Sequence, residues 1–392
     1  MEEKLHINSL AVHSGTRKDD AFGAINEPIY MTSNYRIPTD GTPVDWSGIH
    51  SNIYQRNRNP NQMVLQDRLC ALTGAEDGAV FASGVAALAA VFTTTLNSGD
   101  HAIVSEVCYS ATNLLFRKYL PEKYGVEVTL LDTTDTEAVR AAVRPNTKLI
   151  HVETPGNPTT GISDIDAIAD IAHAAGALLS VDATFAGPVC IRPLSHGADL
   201  EIHSMTKYIN GHGDSLGGCV LGQTELIDQI KELAMVNYGG ILSPFNAWLV
   251  ARGLATVPLR MKQHCSVAMA VAEFLELCPA TRFVWYPGLK SHPQHALAEK
   301  LMHGQYSGMI VFDLKGDEKQ HEAFLDALHL VTHAVSLGDI ESLIVYYDRH
   351  SDKLPHYPAV YQEGFFRFSV GLEDAEDIIA DLQQAMQAAG ML

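Results

Sequence analysis

From about residue 61 onward, apolar positions gather into short β-rich runs separated by helical or loop stretches. The runs are Ala79–Ala82, Ala102–Ser105, Val126–Asp132, Leu149–Glu153, Leu178–Asp182, Glu201–Ser204 and Cys219–Leu221. Strands alternating with helices argue for an α/β fold with a mostly parallel sheet. Ligands then belong at the strand ends. Beyond about residue 254 the pattern changes. Val267–Cys278 predicts a helix, Gly308–Leu314 and Phe365–Val370 predict strands, and Asp374–Gly390 predicts a final helix. That helix has acids at its start and an apolar stripe of Ile378, Ile379, Leu382 and Met386. Before residue 61 there is no such period. Pro28, Pro38, Pro43 and Pro60, with many Asn, Ser and Gly, predict an irregular arm that lies on the rest of the chain or on a neighbouring subunit. The expected division is an arm over 1–60, a larger domain over 61–254 and a smaller C-terminal α/β domain over 255–392.

Composition narrows the class. The chain has 392 residues, 46% hydrophobic and 19% charged, which is ordinary for a globular protein with a large core. Its formal net charge of −19 argues against nucleic acid or an anionic membrane as partner. Cys70, Cys108, Cys190, Cys219, Cys265 and Cys278 include no CxxC pair, so free thiols in a reducing compartment are expected. The start MEEKLHINSL has no apolar signal region, and no window reaches the length of a membrane span. A cytoplasmic protein is expected. His292, His295 and His303 come without a carboxylate–histidine motif at helical spacing, so no metal site is expected.

The stretch Leu200–Gly218, LEIHSMTKYINGHGDSLGG, carries the densest chemistry. A short strand runs into a turn holding Ser204, Thr206 and Lys207, and Gly211, Gly213 and Gly217 follow. It lacks the Gly-Lys-Ser/Thr ending of a nucleotide phosphate loop. A lysine in a partly desolvated pocket has a lowered pKa and can form a Schiff base. Asp182 ends another strand upstream. A Schiff-base lysine and a carboxylate for a pyridinium nitrogen are the minimal equipment for pyridoxal phosphate, although a lysine after a strand is more often a solvated residue. Ser83-Gly84 precedes the helical run Val85–Thr94, and free N–H groups at a helix start bind phosphate. Thr154-Pro-Gly-Asn-Pro-Thr159 follows a strand end; it is a rigid turn, or a turn that holds Asn157 steady. Tyr54-Gln-Arg-Asn-Arg-Asn-Pro-Asn61 is a solvated loop or, through Arg56 and its neighbours, a phosphate contact. On Phe365–Val370, Phe366, Phe368 and Val370 share one face, which turns Arg367 and Ser369 to the other. Arg367 is therefore a carboxylate clamp or a buried ion-pair arginine.

Together these pieces resemble the Cys/Met-metabolism family of pyridoxal-phosphate enzymes. These are the transsulfuration enzymes of the aspartate-aminotransferase-like fold (fold type I), and the motifs come closest to its methionine γ-lyase-like members. The carrying stretches span nearly the whole chain: YQRNRNP, ASGVAA, ETPGNPTTG, SVDATFAGP, HSMTKYINGHGD, LSPFNAWLVARGL, AVSLGDIESL and RFSVGLED. The resemblance implies pyridoxal 5'-phosphate as cofactor, Lys207 as Schiff-base lysine and Asp182 as partner of the pyridine nitrogen. It implies that Tyr109 stacks on the ring and carries protons, and that Thr184 lies beneath the ring. Ser204 and Thr206, with the backbone of Gly84 and Val85, would cradle the phosphate. Tyr54 and Arg56 would reach it from a neighbouring subunit, giving a dimer of dimers with shared active sites. Asn157, Ser336 and Arg367 would meet the cofactor hydroxyl and the substrate carboxylate.

The reaction implied is γ-elimination on a γ-substituted L-amino acid such as methionine, homocysteine or canavanine. The alternative is γ-replacement of the O-acylhomoserine sulfhydrylase or cystathionine γ-synthase/lyase type; a third reading is a regulatory relative without catalysis. Several positions depart from the family pattern. Val335 stands where enzymes of cystathionine have glutamate, Ala111 where methionine γ-lyases have cysteine, and Ala183 makes VDAT of VDNT. Ile344–Asp352 replaces a His-Pro-Ala-Ser-Met-Thr-His run. An acidic, aromatic loop there would suit a cationic γ group, with Asp348 and Asp352 selecting it electrostatically.

Overall fold

The larger sheet has seven strands: β1 Asp77–Phe81, β2 His101–Ser105, β3 Glu127–Leu131, β4 Thr147–Glu153, β5 Leu178–Asp182, β6 Leu200–Ser204 and β7 Gly218–Gly222. In this computed structural model, which describes residues 5–17, 21–351, 354 and 357–392, they lie in the order β1-β7-β6-β5-β4-β2-β3. Pairs from β6 through β3 are parallel, and β7 is antiparallel to both β1 and β6. The exception has a local cause. Residues 205–217 contain no crossover helix, and without one the chain can only return antiparallel.

Helices cover both faces, which is why β2, β4 and β7 are buried at nearly every position. One face packs on helix Gly84–Thr95 and residues 110–124 and 224–237, through Phe92, Phe116 and Ile227. The other packs on helices Pro60–Thr73, Ile165–Ala174 and Pro244–Leu254, through Leu65, Ile168 and Val250. The helix starts are encoded locally. Ser83 Oγ accepts from Ala86 N at 3.1 Å, and Asn59 with Pro60 opens the helix that Gly74, at φ 82°, closes.

The second sheet comprises β8 Thr281–Trp285, β9 Met309–Leu314, β10 Thr332–His333, β11 Leu343–Tyr347 and β12 Phe365–Ser369, in the order β10-β11-β12-β9-β8. β12 is central and buried throughout. Its two faces serve different ends. Phe366 and Phe368 enter the core, whereas Arg367 and Ser369 hold the turn 336–338: Arg367 Nη2 donates to Ser336 O at 3.0 Å, and Gly338 N donates to Ser369 Oγ at 2.8 Å. The long helix here is Val257–Leu277, ten residues longer at its start than the predicted Val267–Cys278. Pro258 in its first turn is the start signal that the apolar pattern hid.

Two expectations need correction. The N-terminal arm is not irregular throughout: Ile7–His13 is helical, Ala11 is buried, and Arg68 Nε holds Ser14 O at 3.0 Å. The 344–352 run is not a loop in its first half, because Leu343–Tyr347 pairs with β12. Among the described residues, no helix is long and apolar enough to cross a membrane.

Candidate active site

The parallel strands deliver their C-terminal ends to one edge, and the functional groups follow those ends. Ser83 and Gly84 follow β1, Tyr109 follows β2, Asn157 follows β4, Asp182 ends β5 and Lys207 follows β6. With the 335–337 turn and β12, they enclose a cavity of about 460 Å³. Of the residues singled out from sequence, Gly84, Val85, Tyr109, Asn157, Asp182, Thr184, Ser204, Thr206, Lys207, Ser336 and Arg367 all line it. Tyr54 and Arg56 do not. Arg56 Nη1 donates to Val236 O at 2.8 Å, and its guanidinium lies 5.7 Å from the Tyr54 ring centroid.

Lys207 Nζ donates to Ser336 Oγ at 2.7 Å. Ser336 sits at φ 87°, a left-handed conformation costly for any residue with a side chain. Arg367 stabilises that turn from beneath. Burial, and then the Arg367 charge, lower the Lys207 pKa to about 8. The amine therefore sheds its proton far more readily than a solvated lysine.

Asp182 Oδ1 accepts from both Thr184 N, at 3.0 Å, and Thr184 Oγ1, at 2.5 Å. Thr184 Oγ1 in turn accepts from Ser204 N at 2.8 Å, tying β5 to β6. Burial raises the proton affinity of Asp182, and the Thr184 bonds oppose the rise. Arg367 Nη1 donates to Asn157 Oδ1 at 3.1 Å, while its Nε is buried with no hydrogen-bond partner among the described residues. A buried guanidinium with an open N–H is a ready carboxylate site.

The helix start at Gly84 abuts β6 so closely that a Cβ on Gly84 would stand 2.9 Å from Ser204 Oγ. One on Gly218 would stand 2.2 Å from Ser83 O. First-turn amides, which lack intrahelical partners, and the Ser204 hydroxyl thus share one small space. That space fits a phosphate, and the amine, carboxylate and arginine fit the rest of a pyridoxal phosphate with its amino acid.

Among the lining groups not singled out from sequence, three stand out. Glu153, at the end of β4, was quoted only as part of a motif. Tyr347 and Tyr357 form an aromatic wall; Tyr347 stacks on Phe365 at 4.8 Å and 9°. Both tyrosines were visible in an aromatic-rich stretch, but nothing in its period showed which rings face inward. Asp348 does not line the cavity: its Oδ1 accepts from His350 N at 2.8 Å, capping its own turn. It is thus misplaced for the electrostatic selection expected of it. Asp352 lies outside the described residues.

An amine held near neutrality beside a carboxylate, a helix start and an arginine meets the needs of cofactor-assisted chemistry on an amino acid. The chain belongs to the Cys/Met metabolism family of PLP-dependent enzymes, whose profile matches residues 8–387. It is 50% identical over 385 residues to the canavanine γ-lyase of Rhizobium leguminosarum bv. trifolii, covering 97% of this chain and 96% of the relative. It is 41% identical over 390 residues to the L-methionine γ-lyase of Porphyromonas gingivalis, covering 96% of each. Among solved structures, metB from Corynebacterium glutamicum superposes with a TM-score of 0.89 at 37% identity, covering 98% of both chains. The fold is therefore the aspartate-aminotransferase-like fold type I. The protein is a PLP-dependent lyase of the transsulfuration family, and its reaction class is γ-elimination.

Proposed function

We propose that this enzyme holds pyridoxal 5'-phosphate at the cavity described and expels a guanidino-type γ substituent, with canavanine as the model substrate. The observation that carries the reading is the make-up of that one cavity, which Lys207, Asp182, Arg367, Tyr347 and Tyr357 line together. Bound pyridoxal phosphate supplies an electron sink conjugated to the substrate's amino group. The chain's own groups then divide the work. Ser204, Thr206 and the Gly84 and Val85 amides bind the phosphate. Asp182, as a carboxylate, would pair with the protonated pyridine nitrogen, and Thr184 holds Asp182 in place. Arg367 and Asn157 bind the substrate carboxylate. Lys207, aimed by Ser336, takes the Cα proton, and its pKa of about 8 leaves enough free amine near neutral pH. Lys207, once it has handed on the Cα proton, would take a second from Cβ as the γ group departs, and Tyr109 would carry a proton to the leaving atom.

The Tyr347 and Tyr357 faces suit a planar cation, worth about 0.5–2 kcal/mol per contact. The 50% identity to a canavanine γ-lyase supports the same assignment. Tyr54 and Arg56, absent from their own chain's cavity, are assigned to the phosphate of a partner subunit within a homotetramer. A cytoplasmic setting accords with six free thiols.

The test is a panel of canavanine, methionine, homocysteine, cystathionine and O-acetylhomoserine, followed by 2-oxobutanoate, homoserine and ammonia, with and without sulfide. Canavanine should give the highest kcat/KM. Preference for methionine would reject the substrate assignment, and a sulfide-dependent thioether product would replace elimination with γ-replacement.

A further inference from the structure

Glu153 has no part in the chemistry above, yet it is 5% exposed and lines the same cavity. It ends β4 in register with Asp182 on β5, so two carboxylates stand on the same face of adjacent strands. Burial and the neighbouring Asp182 push its pKa well above the usual carboxylate range. Such a pair is unfavourable unless specific donors compensate it. The donors are unusual in their origin. Tyr109 N, just after β2, donates to Glu153 Oε2 at 2.6 Å. Asn157 N, in the turn after β4, donates to Oε1 at 2.9 Å. Each oxygen thus holds the backbone of a different site residue, and Asn157 passes the contact on to Arg367 through its own Oδ1.

We infer that Glu153 is a positioning residue, whose two carboxyl oxygens fix Tyr109 and the Asn157–Arg367 clamp at a set distance from one another. The role rests on the reading that Tyr109 and Asn157 serve the site. Both partners are N–H donors, so both oxygens must accept. A glutamine offers one acceptor oxygen and turns an NH₂ group toward the other N–H. One of the two backbones is then released. The two anchors are also unequal in consequence: loosening Tyr109 affects proton delivery, and loosening Asn157 affects carboxylate binding.

The experiment compares the holoenzymes of wild type, Glu153→Gln, Glu153→Asp, Tyr109→Phe, Asn157→Ala and the double variant Glu153→Gln/Asn157→Ala. Kinetics are joined to amide hydrogen exchange of the peptides holding residues 109 and 157. Glu153→Gln should speed exchange at one or both positions by roughly tenfold and raise KM by roughly tenfold, the scale of one lost charge-assisted bond. Exchange of β4 amides at Ile150 and Val152 should not change. Glu153→Asp keeps both acceptor oxygens on a shorter stem and should fall between, which keeps the test open if the amide variant does not fold. The double variant should have the KM of Asn157→Ala alone, because Glu153 acts on carboxylate binding through Asn157. Wild-type kinetics and exchange in Glu153→Gln, beside impaired Tyr109→Phe and Asn157→Ala, would overturn the role of Glu153 alone. Additive effects in the double variant would also overturn it, leaving Glu153 a purely structural residue. Full activity in both Tyr109→Phe and Asn157→Ala would reject the site reading itself, and this role with it.

Discussion

Replacing Arg367 tests the substrate end of the site most sharply. The guanidinium already gives one N–H to Asn157 Oδ1 at 3.1 Å and one to Ser336 O at 3.0 Å, and keeps a buried Nε with no partner among the described residues. Lysine preserves the charge but cannot span both acceptors and a carboxylate, because it lacks the planar fork. Losing a charge-assisted bond costs about 1.5–3 kcal/mol. At about 1.4 kcal/mol per decade, Arg367→Lys should raise KM roughly tenfold to a hundredfold for every amino acid in the panel, with kcat less affected. Arg367→Ala should do more. It also frees the Ser336 turn, whose left-handed backbone is held by that bond, and so loosens the partner of Lys207. Removing the cation favours protonated Lys207, so any pH–rate limb set by this amine moves to higher pH. Steady-state kinetics of both variants across pH supply the assay. An unchanged KM in Arg367→Lys would place the carboxylate site elsewhere and refute this account.

Four further outcomes are expected. Lys207→Ala should lose turnover together with the visible absorbance of lysine-bound cofactor; an active variant that keeps the band would name another lysine. Tyr357→Leu and Tyr347→Leu should lower kcat/KM for canavanine by roughly threefold to thirtyfold while sparing methionine, and equal losses would remove the cation-on-ring contact from consideration. Arg56→Ala and Lys207→Ala should each be nearly inactive, yet regain activity when co-refolded, since a mixed dimer holds one site with both residues intact; no recovery would return Arg56 to its own chain's surface. In the cofactor-free enzyme the Lys207 pKa is lowered from 10.5 to about 8, so the unfolded chain holds that proton to higher pH. Stability should therefore rise with pH between these values through this group, and denaturant titrations of Lys207→Met should lack that increment.

The larger sheet was legible because its strands are short, apolar and separated by helical stretches. All seven predicted runs overlap observed strands. The antiparallel course of β7 was not legible, since run length and apolar content are the same for either direction. In the second sheet β12 stood out through its phenylalanines. β8 and β11 mix charged or aromatic residues with apolar ones and resemble loops until their partners are known. Site residues joined by chemistry to a motif, such as Lys207, Asp182 and Arg367, were readable. Glu153 was not, because its partners are backbone N–H groups that no side-chain pattern reveals. Asp348 misled for the complementary reason: charge is visible in a sequence, direction is not.

The antiparallel return of β7 has a mechanical consequence. Every other strand of the sheet leads into a long connection, but Lys207 stands in a hairpin whose two stems, β6 and β7, are hydrogen-bonded neighbours from Ser204–Gly218 to Leu200–Gly222. Thr206 closes the neck by bonding both the N–H and the carbonyl of Gly217. The lysine is therefore pinned one residue past the neck, and Tyr208, Ile209 and Asn210 after it are buried, with Arg260 holding the Tyr208 and Ile209 carbonyls. The bend at Gly213 and Asp214 is exposed, and lengthening it by a few residues would add little closure entropy. A tag or probe that leaves the reacting amine in place therefore belongs at that bend, and not among the buried residues next to the lysine.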